Sequence, residues 1–196
     1  MDVAIIKYNA GNTQSVAFAL DRIGVSYCIT DDPEEIKAAE KIIFPGVGEA
    51  STAMKYLRDK NLDHLLPTLK QPVLGICLGM QLMCKLSEEN NIPCLNIFDL
   101  TVKHFEATHI SKVPHTGWNN LTQTKGWLGS SFEDRFVYFV HSYYVPINPY
   151  TVAQTDYIVP FSAAMEKDNF FAVQFHPEKS AEVGEKILKQ FLRIRS

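Results

Sequence analysis

At 196 residues and 46% hydrophobic composition, the chain can bury a full core, and residues 1–196 read as a single domain. A net charge of -3 with no long basic run argues against nucleic-acid binding. No apolar stretch approaches the ~20 residues needed to cross a bilayer. The opening residues lack the basic flank and long apolar run of a signal peptide, so a cytoplasmic protein is expected.

In chain order, residues 3–6 read as a strand and 13–23 as a helix with Val16, Leu20 and Ile23 on one face. Residues 26–29 form the next strand. Asp31 and Asp32 before Pro33 signal a helix start, with the helix over 33–39. Strands follow at 41–44 and 73–76, with a helix over 51–58 between them. Strands alternating with helices imply parallel pairing through right-handed crossovers. From residue 100 the pattern turns strand-rich, at 100–102, 136–140, 151–154, 162–165 and 170–173. A last helix is expected over 181–192, with Ser180 as its N-cap. The predicted fold is α/β, an open and mostly parallel sheet flanked by helices, with an antiparallel strand-rich extension.

The chemistry concentrates at Gly75-Ile76-Cys77-Leu78-Gly79, with Gln81 just beyond. An apolar strand leads in, and a helix-like pattern of Met80, Leu82, Met83 and Leu86 leads out. That is a strand, a sharp turn and a helix, with a nucleophile at the corner. Two flanking glycines relieve the crowding of such an elbow. A helix N-terminus there favours a thiolate. Far downstream stands Gln174-Phe175-His176-Pro177-Glu178. His176 is a base for the thiol. In extended backbone, Glu178 points to the same side and orients the imidazole. Taken singly, Cys77 reads as a small core residue, His176 as a core histidine and His-Pro-Glu as a turn. Together they read as a Cys77–His176–Glu178 triad.

The remaining cysteines, Cys28, Cys84 and Cys94, have no Cys-x-x-Cys spacing and read as packing residues; neither metal nor cofactor is expected. Two readings of Pro45-Gly46-Val47-Gly48 stay open, a strand-to-helix turn and a donor loop for an oxyanion. By elbow geometry, the N–H of Leu78 is the other donor. Gln81 lies one helical turn past Cys77 and is either solvated or faces the substrate. Trp118 and Tyr138 read equally as core or as a surface mouth, and Lys179 as a solvated charge or a contact.

Gly-Ile-Cys-Leu-Gly-Met-Gln followed by a distant His-Pro-Glu resembles the class I glutamine amidotransferases, over nearly the whole chain. The resemblance implies a flavodoxin-like fold. It also implies hydrolysis of glutamine to glutamate through a cysteine thioester, with ammonia delivered to a partner. Further implications are that Val47 and Gly48 border the oxyanion hole with Leu78, and that Gln81 binds substrate with backbone from His141, Ser142 and Tyr143. Pro114-His115-Thr116-Gly117-Trp118-Asn119 and Tyr138-Phe139-Val140-His141-Ser142-Tyr143 are similar to one subgroup, the glutaminase subunits of imidazole glycerol phosphate synthase in histidine biosynthesis. That subgroup implies a (β/α)8-barrel cyclase subunit as partner in a heterodimer, with Lys179, Trp118 and Tyr138 at the interface.

Two segments depart from the family pattern. Lys7-Tyr8-Asn9-Ala10-Gly11-Asn12 carries Lys7 and Asn9 where an aspartate and a glycine are usual, and residues 90–98 carry Cys94 in place of glycines. Other readings are a glutaminase for pyridoxal phosphate or purine biosynthesis, and a catalytically silent binding module. An intact triad argues against the last, and 196 residues leave no room for a synthase domain.

Overall fold

A computed structural model describes residues 2–9 and 12–195. Ala10 and Gly11, within the Lys7-to-Asn12 segment that departs from the family pattern, lie outside the described residues. The elements are β1 (Val3–Ile6), α1 (Thr13–Arg22), β2 (Tyr27–Thr30), α2 (Pro33–Ala38), β3 (Lys41–Phe44), α3 (Ala50–Asp59), α4 (Leu62–Leu65), β4 (Val73–Ile76) and α5 (Leu78–Leu82). They continue with β5 (Cys84–Ser87), β6 (Ile92–Pro93), β7 (Phe98–His104), β8 (His115–Asn120), β9 (Phe136–His141), β10 (Tyr143–Tyr144), β11 (Thr151–Asp156), β12 (Pro160–Lys167), β13 (Phe170–Val173) and α6 (Ala181–Leu192).

The main sheet has seven strands in the order β11-β12-β13-β4-β3-β1-β2. β2, β1, β3, β4 and β13 pair in parallel, whereas β12 and β11 add antiparallel at one edge. The parallel part has the doubly wound order of flavodoxin-like sheets. β1, β4 and β13 are buried at every position, because helices cover both faces. On one face Ala4, Ile6, Ile42 and Phe44 pack with Ile36, Met54, Leu57 and Leu62. On the other Val3, Ile5, Ile43, Leu74 and Ile76 pack with Val16, Leu20, Ile187, Leu188 and Phe191. Each such fully buried aliphatic or aromatic side chain contributes about 1.5–3 kcal/mol. A four-stranded sheet, β10-β7-β5-β6, and the β8–β9 hairpin complete the fold.

The helix expected after Cys77 is shorter than the apolar spacing implied. α5 stops at Leu82, and Leu86 lies on β5, where it pairs with Pro93 and Thr101. The spacing of apolar residues suits either state. The strand prevails because β7 offers backbone partners. With five residues, α5 carries the dipole of little more than one turn. Asp32 caps α2 as expected, accepting from the backbone N–H of Glu34 and Glu35. Ser180 precedes α6 but its side chain does not cap it. The hydroxyl instead accepts from Tyr138 N–H at 2.9 Å and donates to the His176 carbonyl at 2.7 Å. No helix among the described residues is long and apolar enough to cross a membrane.

Candidate active site

Three strand ends build the site. β4 delivers Cys77, the loop after β3 delivers Pro45 to Gly48, and β13 leads to Gln174 and His176. All three are carboxyl ends of neighbouring parallel strands, where α/β sheets place their sites. Cys77 has φ 52° and ψ -106°, a conformation that costs a non-glycine residue about 1–3 kcal/mol. Its neighbours fix it there. The N–H of Cys77 donates to Val173 O at 2.8 Å, and its carbonyl accepts from Gln81 N–H at 3.2 Å. The flanking glycines are required by close approach. A Cβ on Gly79 would stand 1.9 Å from the Phe44 carbonyl oxygen, and one on Gly75 2.9 Å from Met80 N.

His176 and Glu178 meet with Nδ1 and Oε1 2.7 Å apart, both side chains fully buried. They do not alternate along a strand as expected. Pro177–Lys179 is a 3-10 turn, and the turn brings the carboxylate onto the ring. Asn12, unforeseen in the sequence, donates from Nδ2 to the same Oε1 at 2.5 Å. The backbone of Tyr138 holds the turn from the other side, its carbonyl accepting from His176 N–H at 2.9 Å. Among the described residues, His176 Nε2 and Glu178 Oε2 have no hydrogen-bond partner. Burial alone disfavours charge on His176. Cys77 first and Glu178 second more than offset it, raising the imidazole to about 10. The balance favours the charged imidazolium over the neutral ring.

Cys77 opens onto a cavity of about 320 Å3 that Val47, Gly48, Leu78, Gln81, Glu89, His141, Ser142 and Tyr143 help to line. This is the size of a small-ligand site. Every expected oxyanion and substrate residue thus reaches one cavity. Two details differ from expectation. Leu78 N–H already donates to Gly46 O at 3.3 Å, so it is engaged by the loop that borders it. Tyr143 O accepts from Gln81 Nε2 at 3.0 Å and from His141 Nδ1 at 2.7 Å, so this carbonyl supports the wall. Gln81 spends its second amide proton on Gln174 Oε1, also at 3.0 Å, leaving its oxygen for a ligand. Tyr8 anchors the loop by donating to Pro45 O at 2.5 Å.

Behind the wall His141 and His115 pair through Nε2 and Nδ1 at 3.0 Å. Because Tyr143 O can only accept, the His141 proton sits on Nδ1. His115 therefore donates to His141, and Asn119 donates to the far nitrogen of His115 at 3.4 Å. Both rings are neutral. Burial pushes His115 down to about 4 and His141 to about 3. Trp118 and Tyr138 face each other across the β8–β9 hairpin with ring centroids 6.1 Å apart. Trp118 is 52% exposed, which rules out core packing for it. Lys179 is exposed and adjoins Glu178. All four cysteines are free.

A family model described as glutamine amidotransferase class-I matches residues 4–194. The chain belongs to the class-I glutamine amidotransferases. The amidotransferase is 60% identical to a Bacteroides fragilis protein named imidazole glycerol phosphate synthase subunit HisH, covering 99% of this chain and 100% of that one. It is 58% identical, with the same coverage, to the Bacteroides thetaiotaomicron protein of that name. A crystal structure of a glutamine amidotransferase covers 97% of this chain and 99% of its own, with a TM-score of 0.75 and 16% identity, and shares the fold. Sequence reasoning missed Asn12, Glu89 and the side chain of Gln174 as parts of this site. Of these, Gln174 and Asn12 stood inside segments already singled out, and Glu89 did not.

Proposed function

We propose that this chain is the glutamine-hydrolysing subunit of imidazole glycerol phosphate synthase, a cytoplasmic enzyme of histidine biosynthesis, and that the whole chain acts as one domain. The observation that carries the reading is Cys77, held on a strained elbow beside the buried His176–Glu178 pair, at the mouth of a cavity of about 320 Å3. The full-length similarity to proteins named HisH supports the pathway.

Cys77 Sγ attacks the side-chain amide carbon of glutamine. His176 Nε2, without a protein partner among the described residues, is the group that passes a proton to the departing ammonia. Water, activated by His176, then hydrolyses the thioester to glutamate. Glu178 and Asn12 hold the ring in place. Glu89 is the one carboxylate among the described cavity residues and suits the substrate's ammonium; the Gln81 oxygen can assist. Val47, Gly48 and Leu78 supply oxyanion donors once Leu78 N–H leaves Gly46 O, a change the glycines of the loop permit.

The partner is a (β/α)8-barrel cyclase docked over the Cys77 mouth, with Trp118, Tyr138 and Lys179 in or near the contact. The Tyr138 backbone holds His176, so this surface is tied directly to the site. The test is glutamate release by the chain alone and with the cyclase and its phosphoribosyl substrate. Imidazole glycerol phosphate formed from glutamine is the expected result. Product only with a pyridoxal phosphate or purine synthase would overturn the subgroup and leave the amidotransferase chemistry standing.

A further inference from the structure

Gln174 is fully buried and its amide joins two parts of the site. Its Nε2 lies 3.5 Å from Cys77 Sγ, and its Oε1 accepts from Gln81 Nε2 at 3.0 Å. The direction of this chain is fixed at one end. Tyr143 O can only accept, so Gln81 must turn its nitrogen toward it. The same nitrogen faces Gln174, so Gln174 must present its oxygen there. Its N–H therefore points at the sulfur. Gln174 sits immediately after β13, and its own backbone N–H is tied to Ala163 O at 2.8 Å. Val173 O meanwhile accepts from Cys77 N–H. The backbones of both residues are thus held at the same strand end, and both ends of the Gln174 amide are engaged.

We propose that Gln174 is a catalytic residue of the glutaminase reaction, whose N–H donates a hydrogen bond to the Cys77 thiolate. A donor favours the charged form of sulfur over the thiol. It also aims a lone pair, because the alternative partner, Val140 O at 3.9 Å, accepts only from the protonated thiol. Beside the charge of the His176 ring, it gives the sulfur a permanent N–H donor. Gln81 lines the substrate cavity and holds Gln174, so a ligand on the Gln81 oxygen tightens the donor on the nucleophile. The inference rests on the proposed nucleophilic role of Cys77.

The test is Gln174→Glu in the full chain. Glutamate keeps the oxygen that Gln81 needs and removes the N–H that faces sulfur. Cys77 alkylation by iodoacetamide, followed from about pH 5 to about pH 9, reads thiolate directly and needs no glutamine. The rising limb should move to higher pH and the rate near neutrality should fall about tenfold or more, as expected for loss of a hydrogen bond to a charged group. Glutaminase turnover with the cyclase should fall in step while KM changes little. A folded variant with an unchanged alkylation profile overturns the proposal, even if Cys77→Ala abolishes glutaminase activity. Where Gln174→Glu does not fold, the unmutated chain still decides. The side-chain amide 15N–1H signal of Gln174 should titrate with the alkylation profile, and a signal that does not move overturns the proposal.

Discussion

Glu178→Gln separates the charge of the proposed triad acid from its shape. In the native site, Oε1 accepts from both His176 Nδ1 and Asn12 Nδ2. The amide oxygen of glutamine can keep both bonds. What is lost is the negative charge opposite the imidazolium. Hydrogen bonds to charged groups are worth ~1.5–3 kcal/mol and neutral ones ~0.5–1.5, so the loss is about 1–1.5 kcal/mol. That corresponds to about tenfold in rate. The new amide nitrogen takes the place of Oε2, which has no partner among the described residues. A buried donor left unsatisfied there costs about 1–3 kcal/mol of folding stability. Glu178→Ala goes further. It strips partners from both His176 and Asn12, and turnover should fall by ~10² or more. The assay is glutamate release at saturating glutamine with the cyclase complex, beside urea unfolding of each variant. Wild-type turnover in both variants would refute the triad.

Acid should destabilise the fold before its carboxylates titrate. His115 and His141 are depressed to about 4 and about 3 by burial, so protons bind the unfolded chain first. The contribution of these two rings is complete above about pH 6.5 and is lost as pH drops toward those values, by a few kcal/mol near about pH 4.5; His115→Phe should flatten the pH dependence of the melting temperature on the acid side, and an unchanged slope contradicts the pairing. Lys179→Glu should weaken cyclase-coupled activity at least several-fold while shifting stability by only ~0.5 kcal/mol, because the side chain is exposed; equal losses in both would place Lys179 outside the contact. The chain alone should hydrolyse glutamine slowly, since Leu78 N–H is engaged by Gly46 O, and the ligand-loaded cyclase should stimulate it strongly. Full turnover by the lone chain would remove the case for a gated loop.

Much of this architecture can be read along the chain because its signals are local. The apolar runs at 3–6, 41–44, 73–76 and 170–173 coincide with β1, β3, β4 and β13. Gly75 and Gly79 mark the elbow because backbone crowding excludes any Cβ there. Long-range partners leave no such mark. β5 was hidden because apolar spacing at Met80, Leu82, Met83 and Leu86 fits a helix, while its strand partners Pro93 and Thr101 come later. Ser180 looks like an N-cap from its position, yet its hydroxyl is claimed by Tyr138 and His176. Asn12 and Glu178 stand 166 positions apart, and Gln174 and Cys77 97 apart, so only the folded sheet edge unites them. Glu178 was found by a spacing argument that assumed a strand, whereas a 3-10 turn brings it to His176.

The central claim is that Cys77 is the nucleophile which makes ammonia for a cyclase. The most direct test pairs the Cys77→Ala chain with the cyclase and measures imidazole glycerol phosphate formed from glutamine and, separately, from ammonium salt. Cys77 points into a cavity and is not part of the Trp118–Tyr138 surface, so the complex should still assemble. Glutamine-driven product should vanish, and ammonium-driven product should match the wild-type complex. Glutamine-driven product persisting at the wild-type rate would contradict the account.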